Sequence, residues 1–330
     1  MDLTTTYMGI PLKNPIIVGA SPLTASIESI KELEKAGAGA VVLHSIFEEQ
    51  INHETHEIDH FLFKGSETYA ESLGYFPEVT LSNLESENYL DEIKKLKQEV
   101  SIPIIASLNG VSKGGWINYA KKLQEAGVDG IELNITYIPT DLDMSGNDIE
   151  ALYIDALKAV KESVSIPVSV KMNAVFSAPA NMAKRLSDAG ADGLVLFDRA
   201  VHVDIDLEEL NATQVINPTS SKDLSETLRW SAILYNKLDT SLCASTGVNT
   251  HEDILKAIMS GADAVQMVSA ILKHGNYHVE TVLKNLTKWM EEKEYESIKQ
   301  MRGSISLHHT SNPAAYERAN YMRILTDYRY

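Results

Sequence analysis

One short unit recurs four times and restricts the architecture more than any other feature of the chain. Lys35-Ala-Gly-Ala-Gly-Ala runs into VVLHS, Glu125-Ala-Gly-Val-Asp-Gly into IELNI, Asp188-Ala-Gly-Ala-Asp-Gly into LVLF, and Ser260-Gly-Ala-Asp-Ala into VQMVS. Each reads as a helix end, a glycine that terminates the helix in a left-handed conformation, a tight turn and an apolar strand. A second joint occurs twice, VSIPIIASL at 100–108 and VSIPVSVKM at 164–172, where proline closes a helix and opens a strand. Repetition of one supersecondary unit is an architectural signal.

Extending the pattern gives eight strands, at 15–20, 40–45, 103–108, 130–135, 167–172, 193–197, 241–246 and 264–269. They are short and almost continuously apolar, as strands covered on both faces must be. Amphipathic stretches such as SIESIKELEKAG, DIEALYIDALKAVKESV and HEDILKAIMSG separate them. Eight alternating βα units predict an α/β fold, a single (β/α)₈ TIM barrel over residues 1–330. A doubly wound open sheet is the competing arrangement, but no glycine-rich dinucleotide fingerprint follows the first strand. The opening segment, ending YMGIPLKNP, reads as an N-terminal hairpin at the barrel bottom. Long insertions are expected after strand two (46–88) and strand six (198–225), the second of them irregular and β-rich, and a helix after Pro313. Asn147-Asp148 is positioned to cap the helix after strand four.

The net charge is −17, which argues against a nucleic-acid partner. One cysteine, Cys243, cannot form an internal disulfide or an iron–sulfur cluster and is expected to be a buried strand residue. No start resembling a secretory signal and no apolar run of about 18 residues is seen, so no membrane span and a cytoplasmic location are expected. His308-His309 lacks a further spaced ligand, and no metal site is expected.

In a barrel the C-terminal strand ends converge on one mouth. Here they supply Ala20-Ser21, His44-Ser45, Ser107 to Asn109, Asn134 to Tyr137, Lys171 to Asn173, Asp198-Arg199, Ser245 to Gly247 and Val268-Ser269. The set is small, polar and hydrogen-bonding. Loops after strands seven and eight of barrels often bind phosphate through backbone N–H groups, a role open to Thr246-Gly247 and Val268-Ser269; two ordinary turns are the plainer reading. Lys171 ends an apolar strand, where a cation is costly unless paired or used. It can stabilise an anionic ligand, form a Schiff base, or snorkel to solvent. Asn134, at the end of a buried strand, needs partners and suits a ligand role.

With these residues in place the chain resembles the dihydroorotate dehydrogenases, FMN-dependent barrels, most of all the soluble class 1 members. The resemblance covers nearly the whole length. It rests on MGIPLKNPIIVGASPLT at the start, SLGYFPE at 72–78, IELNITYIP at 131–139, IPVSVKM at 166–172, STGV at 245–248 and GADAVQMVSAI at 261–271. It implies FMN contacts at Ala20, Ser21, Ser45, Asn109, Asn134 and Lys171, with the phosphate on Thr246, Gly247, Val268 and Ser269. Lys171 would face the flavin pyrimidine edge. The implied reaction oxidises dihydroorotate to orotate, a step of pyrimidine biosynthesis, with hydride passing to flavin N5. A homodimer is common in the family, and the tyrosine-rich C-terminal segment suits either that or packing within the chain.

Departures from the family pattern concentrate around the substrate. The family's catalytic Cys or Ser aligns with Tyr137, or with Thr136 after a one-residue shift. Its substrate-binding Asn aligns with Glu71, next to Leu73 and Gly74, its Asn-Thr pair with Asp198-Arg199, and its second-strand lysine with His44. Tyrosine, with an ordinary pKa near ~10, is a poor base at neutral pH and a serviceable proton donor. The expected alternatives are therefore a flavin reductase of another activated alkene with Tyr137 as donor, a Schiff-base lyase using Lys171, and a non-catalytic barrel binding a phosphorylated ligand. The electron acceptor is open between fumarate, NAD through a partner subunit, and quinone, with quinone least favoured.

Overall fold

The computed structural model describes residues 1–51, 86–110, 116–198, 202–215, 217–311 and 316. Strands are numbered in chain order: β1 Thr5–Tyr7, β2 Ile10–Leu12, β3 Ile16–Val18, β4 Ala40–Val42, β5 Ile46–Phe47, β6 Ile104–Asn109, β7 Gly130–Asn134, β8 Val168–Met172, β9 Gly193–Leu196, β10 His202–Asp206, β11 Asn211–Val215, β12 Ser241–Ala244 and β13 Ala264–Met267. The parallel strands β3, β4, β6, β7, β8, β9, β12 and β13 pair in that order. The β13–β3 and β4–β6 pairings close the ring, and β5 continues beside β6. This is the (β/α)₈ barrel that the repeats predict.

The repeated joints work as the sequence suggests. Gly37, Gly127, Gly190 and Gly261 all have positive φ, from +96° to +129°. The aspartate after three of these turns adds a function that the pattern alone did not disclose. Asp129 Oδ2 accepts from the backbone N–H of Ile104 at 2.7 Å and from Lys97 Nζ at 2.6 Å. Asp192 Oδ2 does the same for Val168 (2.7 Å) and Lys161 (2.6 Å). Asp263 accepts from Leu242 N at 2.8 Å and pairs with Arg302 at 2.5 Å. Each carboxylate thus satisfies an N–H in the first two residues of the preceding barrel strand and ties it to a cation, in two cases on the helix that leads into that strand.

β1 and β2 form an antiparallel hairpin under the barrel. Its turn buries Tyr7 and Met8 against the lumen residues Ile17, Ala40, Val42, Ile105, Val195, Cys243 and Ala264. Cys243 is fully buried, and burial raises its thiol well above the usual range, which keeps it unreactive. The helices bury their apolar stripes against the outer faces of the strands, as Ile30 and Leu33 do from helix Ile27–Lys35. Helix Gly146–Ser163 is capped by Ser145 rather than by Asn147-Asp148. Asp148 Oδ2 accepts from Ser145 N at 2.9 Å, closing a reciprocal box two residues earlier than the sequence suggests.

After β9 the expected β-rich insertion contains an antiparallel hairpin, β10–β11, regular where an irregular course was expected. The stretch after β5 lies mostly outside the described residues, as does the segment after Pro313 except Tyr316. No described helix is long and apolar enough to cross a membrane.

Candidate active site

Strand register arranges the mouth in tiers. Asn109 on β6 is opposite Asn134 on β7, and Asn134 is opposite Lys171 on β8. Because side chains alternate along a strand, the residues two positions back face the same lumen one tier deeper. There Ser107, Glu132 and Ser169 are in register, all fully buried. Two carboxamides and an ammonium therefore stand side by side at the opening, above a buried carboxylate.

Lys171 leans down onto that carboxylate. Its Nζ lies 2.8 Å from Glu132 Oε1, with the lysine side chain 11% exposed and the glutamate 1%. Gln266, on β13 across the lumen, donates from Nε2 to Glu132 Oε2. Burial works against the Lys171 ammonium, but the Glu132 and Asp198 carboxylates outweigh it and hold its pKa above the usual lysine value. Along the tier, Asn109 Nδ2 donates to Thr136 Oγ1 at 3.3 Å, and Thr136 Oγ1 to Asn134 Oδ1 at 3.4 Å. Ser45 and Ser107 share a hydrogen bond of 2.8 Å.

Beside Lys171 opens a cleft of about 370 Å³, within the range of small-molecule sites. It brings together Ala20, Lys171, Asp198, Thr246, Gly247, Val268 and Ser269, all singled out in the sequence, with Phe197, Asn217, Thr219 and Gln266, which were not. The far rim is the pair of turns after β12 and β13. Thr246 has φ +66° and donates its Oγ1 to Phe197 O at 2.9 Å, so its hydroxyl is committed to the fold. Ser269 Oγ accepts from Thr219 N and Thr219 Oγ1, both at 3.0 Å, pinning the segment after β11 over the cleft. Ser21 donates to Gly19 O at 3.1 Å at the turn after β3.

Of the other candidates, Ser21, Ser45, Asn109 and Asn134 do not line this cleft, and Tyr137 and His44 line other cavities. Tyr137 is half-buried and lines a neighbouring cavity of about 230 Å³ with Ile149, Tyr153, Asn173 and Phe176, between the segments after β7 and β8. Tyr153 anchors this wall by donating to Ile135 O at 2.6 Å. His44 packs edge-on against Tyr89, with ring centroids 4.9 Å apart. Alignment with a mouth lysine therefore does not make it a mouth residue. Glu71, Leu73, Gly74 and Arg199 lie outside the described residues. Among the described residues no group of three His, Cys, Asp or Glu is placed to hold a metal ion.

Besides Phe197, Asn217 and Thr219, sequence reasoning missed Glu132 and Gln266, the buried polar pair under the mouth. The signal was present: Glu132 lies two positions before Asn134 in an otherwise apolar strand, and a charge there requires a partner.

Comparison with known proteins agrees with this geometry. Residues 2–290 match the family model described as dihydroorotate dehydrogenase. The dihydroorotate dehydrogenase B (NAD(+)) catalytic subunit of Methanocaldococcus jannaschii is 30% identical over 288 residues, covering 83% of this chain and 88% of that protein. The corresponding protein of Thermoplasma acidophilum is 26% identical over 305 residues, covering 92% of this chain and 98% of that one. The NAD-dependent dihydropyrimidine dehydrogenase subunit PreA of Escherichia coli is 24% identical over 323 residues, covering 92% and 76% respectively.

Proposed function

The chain belongs to the dihydroorotate dehydrogenase family, and from that premise we propose that it is an FMN-dependent oxidoreductase acting on the CH–CH bond of a dihydropyrimidine or a similar ring. FMN, when bound, supplies hydride transfer at N5. The donor set fits such a group: one buried ammonium, two carboxamides in register with it, and a cleft running from the ammonium to the turns after β12 and β13. In this reading Lys171 holds negative charge on the pyrimidine edge of the flavin, Asn109 and Asn134 bond to heteroatoms of the flat ligand, and backbone N–H groups around Thr246-Gly247 and Val268-Ser269 take the phosphate.

The observation that carries the proposal is the Asn109–Asn134–Lys171 tier, whose Lys171 lines that cleft. The Glu132–Lys171 pair counts against a Schiff-base lyase, which needs a neutral amine, whereas here the ammonium is stabilised.

Dihydroorotate is the first substrate to test, because the relatives named above include enzymes of that name. A second reading is favoured by Tyr137, which stands where the family carries Cys or Ser and donates a proton more readily than it accepts one. Reduction of an activated alkene, such as an oxidised pyrimidine, with Tyr137 protonating the carbon beside the one that receives hydride, fits that residue; the name of the Escherichia coli relative points to the same substrate class. For the electron acceptor we favour NAD reached through a partner subunit, following the names of the relatives. The lone buried Cys243 cannot ligate an iron–sulfur cluster within this chain. Anaerobic mixing with dihydroorotate, dihydrouracil and dihydrothymine in turn, watching the flavin band, tests the substrate: bleaching by one of them assigns it, and bleaching by none removes the dihydropyrimidine reading.

A further inference from the structure

Glu132 is the least expected residue of the barrel lumen. A carboxylate with a residue exposure of 0% is tolerated only where close partners replace its lost hydration. Its partners come from two other strands. Lys171 Nζ approaches Oε1 at 2.8 Å from β8, and Gln266 Nε2 donates to Oε2 from β13. Both partners line the cleft above, while Glu132 does not.

The pairing also determines which way the Gln266 amide points. An ionised carboxylate only accepts hydrogen bonds, so the amide must turn its NH₂ to Glu132 and its carbonyl Oε1 away. That oxygen lies on the side of Gly19, where a Cβ would come within 3.3 Å of it, and Gly19 also lines the cleft. Among the described residues Gln266 Oε1 accepts no hydrogen bond, leaving it an acceptor for whatever enters. Lys171, three-pronged and held from below, supplies the donor beside it.

We propose that Glu132 is the positioning residue of this site: through Oε1 it fixes the Lys171 ammonium under the ligand, and through Oε2 it fixes Gln266 so that a carbonyl acceptor, not an amide donor, faces the cleft. The floor is thereby a cationic donor next to a neutral acceptor. That pair matches a ligand offering an electron-rich oxygen or nitrogen to Lys171 and an N–H or O–H to Gln266. Both occur on a flavin, in its ring edge and its ribityl chain, so this inference deepens the cofactor reading and rests on it for the identity of the ligand alone.

The charged and titratable groups that face the pair are Asp198 after β9, Cys243 on β12 and Tyr7 of the hairpin beneath. Asp198 is the remaining carboxylate acting on Lys171, and it remains in place in the variants below.

The test reads Lys171 directly in cofactor-free protein. Trace reductive methylation at a series of pH values, followed by mass spectrometry of the Lys171 peptide, gives the pH of half-labelling for that one amine. In the native protein Lys171 should label at higher pH than the exposed lysines. In Glu132→Gln, which keeps the shape and a hydrogen-bond partner for each neighbour, its midpoint should fall by about one unit or more, an increase of about tenfold in labelling near pH 8. Glu132→Asp, which keeps the charge but withdraws it by one methylene, should fall less and serves if the Gln variant does not fold. Gln266→Met should leave the Lys171 midpoint near native and weaken FMN binding about tenfold, the loss of one hydrogen bond. An unchanged Lys171 midpoint in folded Glu132→Gln or Glu132→Asp, or unchanged FMN affinity in Gln266→Met, overturns the assignment. The midpoint shift without any FMN binding refutes the cofactor reading and keeps the role of Glu132; FMN binding without the shift does the reverse.

Discussion

Lys171 and Glu132 meet at 2.8 Å although they are not opposite each other in the sheet: Lys171 is in register with Asn134, and Glu132 with Ser169. The lysine reaches diagonally into the barrel, which links the mouth of the site to its core. Lys171→Met therefore removes the donor of the site and leaves a buried carboxylate with Gln266 alone. It should cost about 3–5 kcal/mol of stability. Lys171→Met combined with Glu132→Gln should recover most of that loss without recovering flavin-dependent turnover. Urea unfolding of the three proteins checks this; a double variant no more stable than Lys171→Met would show that the buried carboxylate is not the source of the cost.

Tyr137→Phe removes one hydroxyl and keeps the ring in the neighbouring cavity that Tyr153 and Phe176 also line. If Tyr137 supplies the proton, kcat for alkene reduction should fall about 10²-fold or more, with FMN content and thermal stability unchanged. Steady-state kinetics on the substrate that reoxidises the reduced protein fastest is the appropriate measurement. A kcat within twofold of native would reduce Tyr137 to a packing role.

Gly247 has φ +92°, and a Cβ there would come 2.4 Å from Leu224 N and 2.9 Å from Ser220 O. Gly247→Ala combines an unfavourable backbone conformation, about 1–3 kcal/mol, with a clash against backbone that cannot swing away. It should lower the thermal midpoint and weaken FMN together, because the turn after β12 forms the far rim of the cleft. A variant with native melting and native FMN affinity would mean that this turn is neither rigid nor part of the site.

Asp263 gives the clearest pH signature away from the site. Burial raises its carboxyl to about 6, with Arg302 and the Leu242 N–H pulling the other way. The folded protein therefore binds this proton more tightly than the unfolded chain does. The stabilisation from it is fully present below pH ~4 and is lost as pH rises through about 6. The difference is on the order of 3 kcal/mol from the shift in pKa. Asp263→Asn should flatten this part of the stability curve, and melts of both proteins at steps between pH 4 and 7 should converge if the group titrates without consequence.

Much of this is legible in the sequence alone. The glycine joints specify the barrel because a helix end, a left-handed residue and a buried strand can be read over six to ten neighbouring residues. Lys171 and Asn134 were legible because each breaks an apolar run at a strand end. Features that depend on contacts far apart in the chain were not. Thr219 bonds at the site to Ser269, fifty positions away, and Gln266 meets Glu132 across 134 positions. His44 shows the opposite error: it sits at the right place in the strand, yet its ring packs on Tyr89, because orientation at a strand end depends on what the next helix offers. The cap of helix Gly146–Ser163 was misplaced by two residues because Ser, Asn and Asp all occur between 145 and 148 and each can cap.

The central claim is that the Asn109–Asn134–Lys171 tier and the cleft beside it hold a flavin. Acid release of bound cofactor from the purified protein, before and after incubation with FMN, quantified by chromatography against FMN and riboflavin, tests it directly. The account predicts FMN at about one equivalent per chain, and a Lys171→Met/Glu132→Gln protein that is folded but retains far less. A native protein that stays free of flavin after reconstitution, or one that holds FMN equally well with that tier removed, would contradict it.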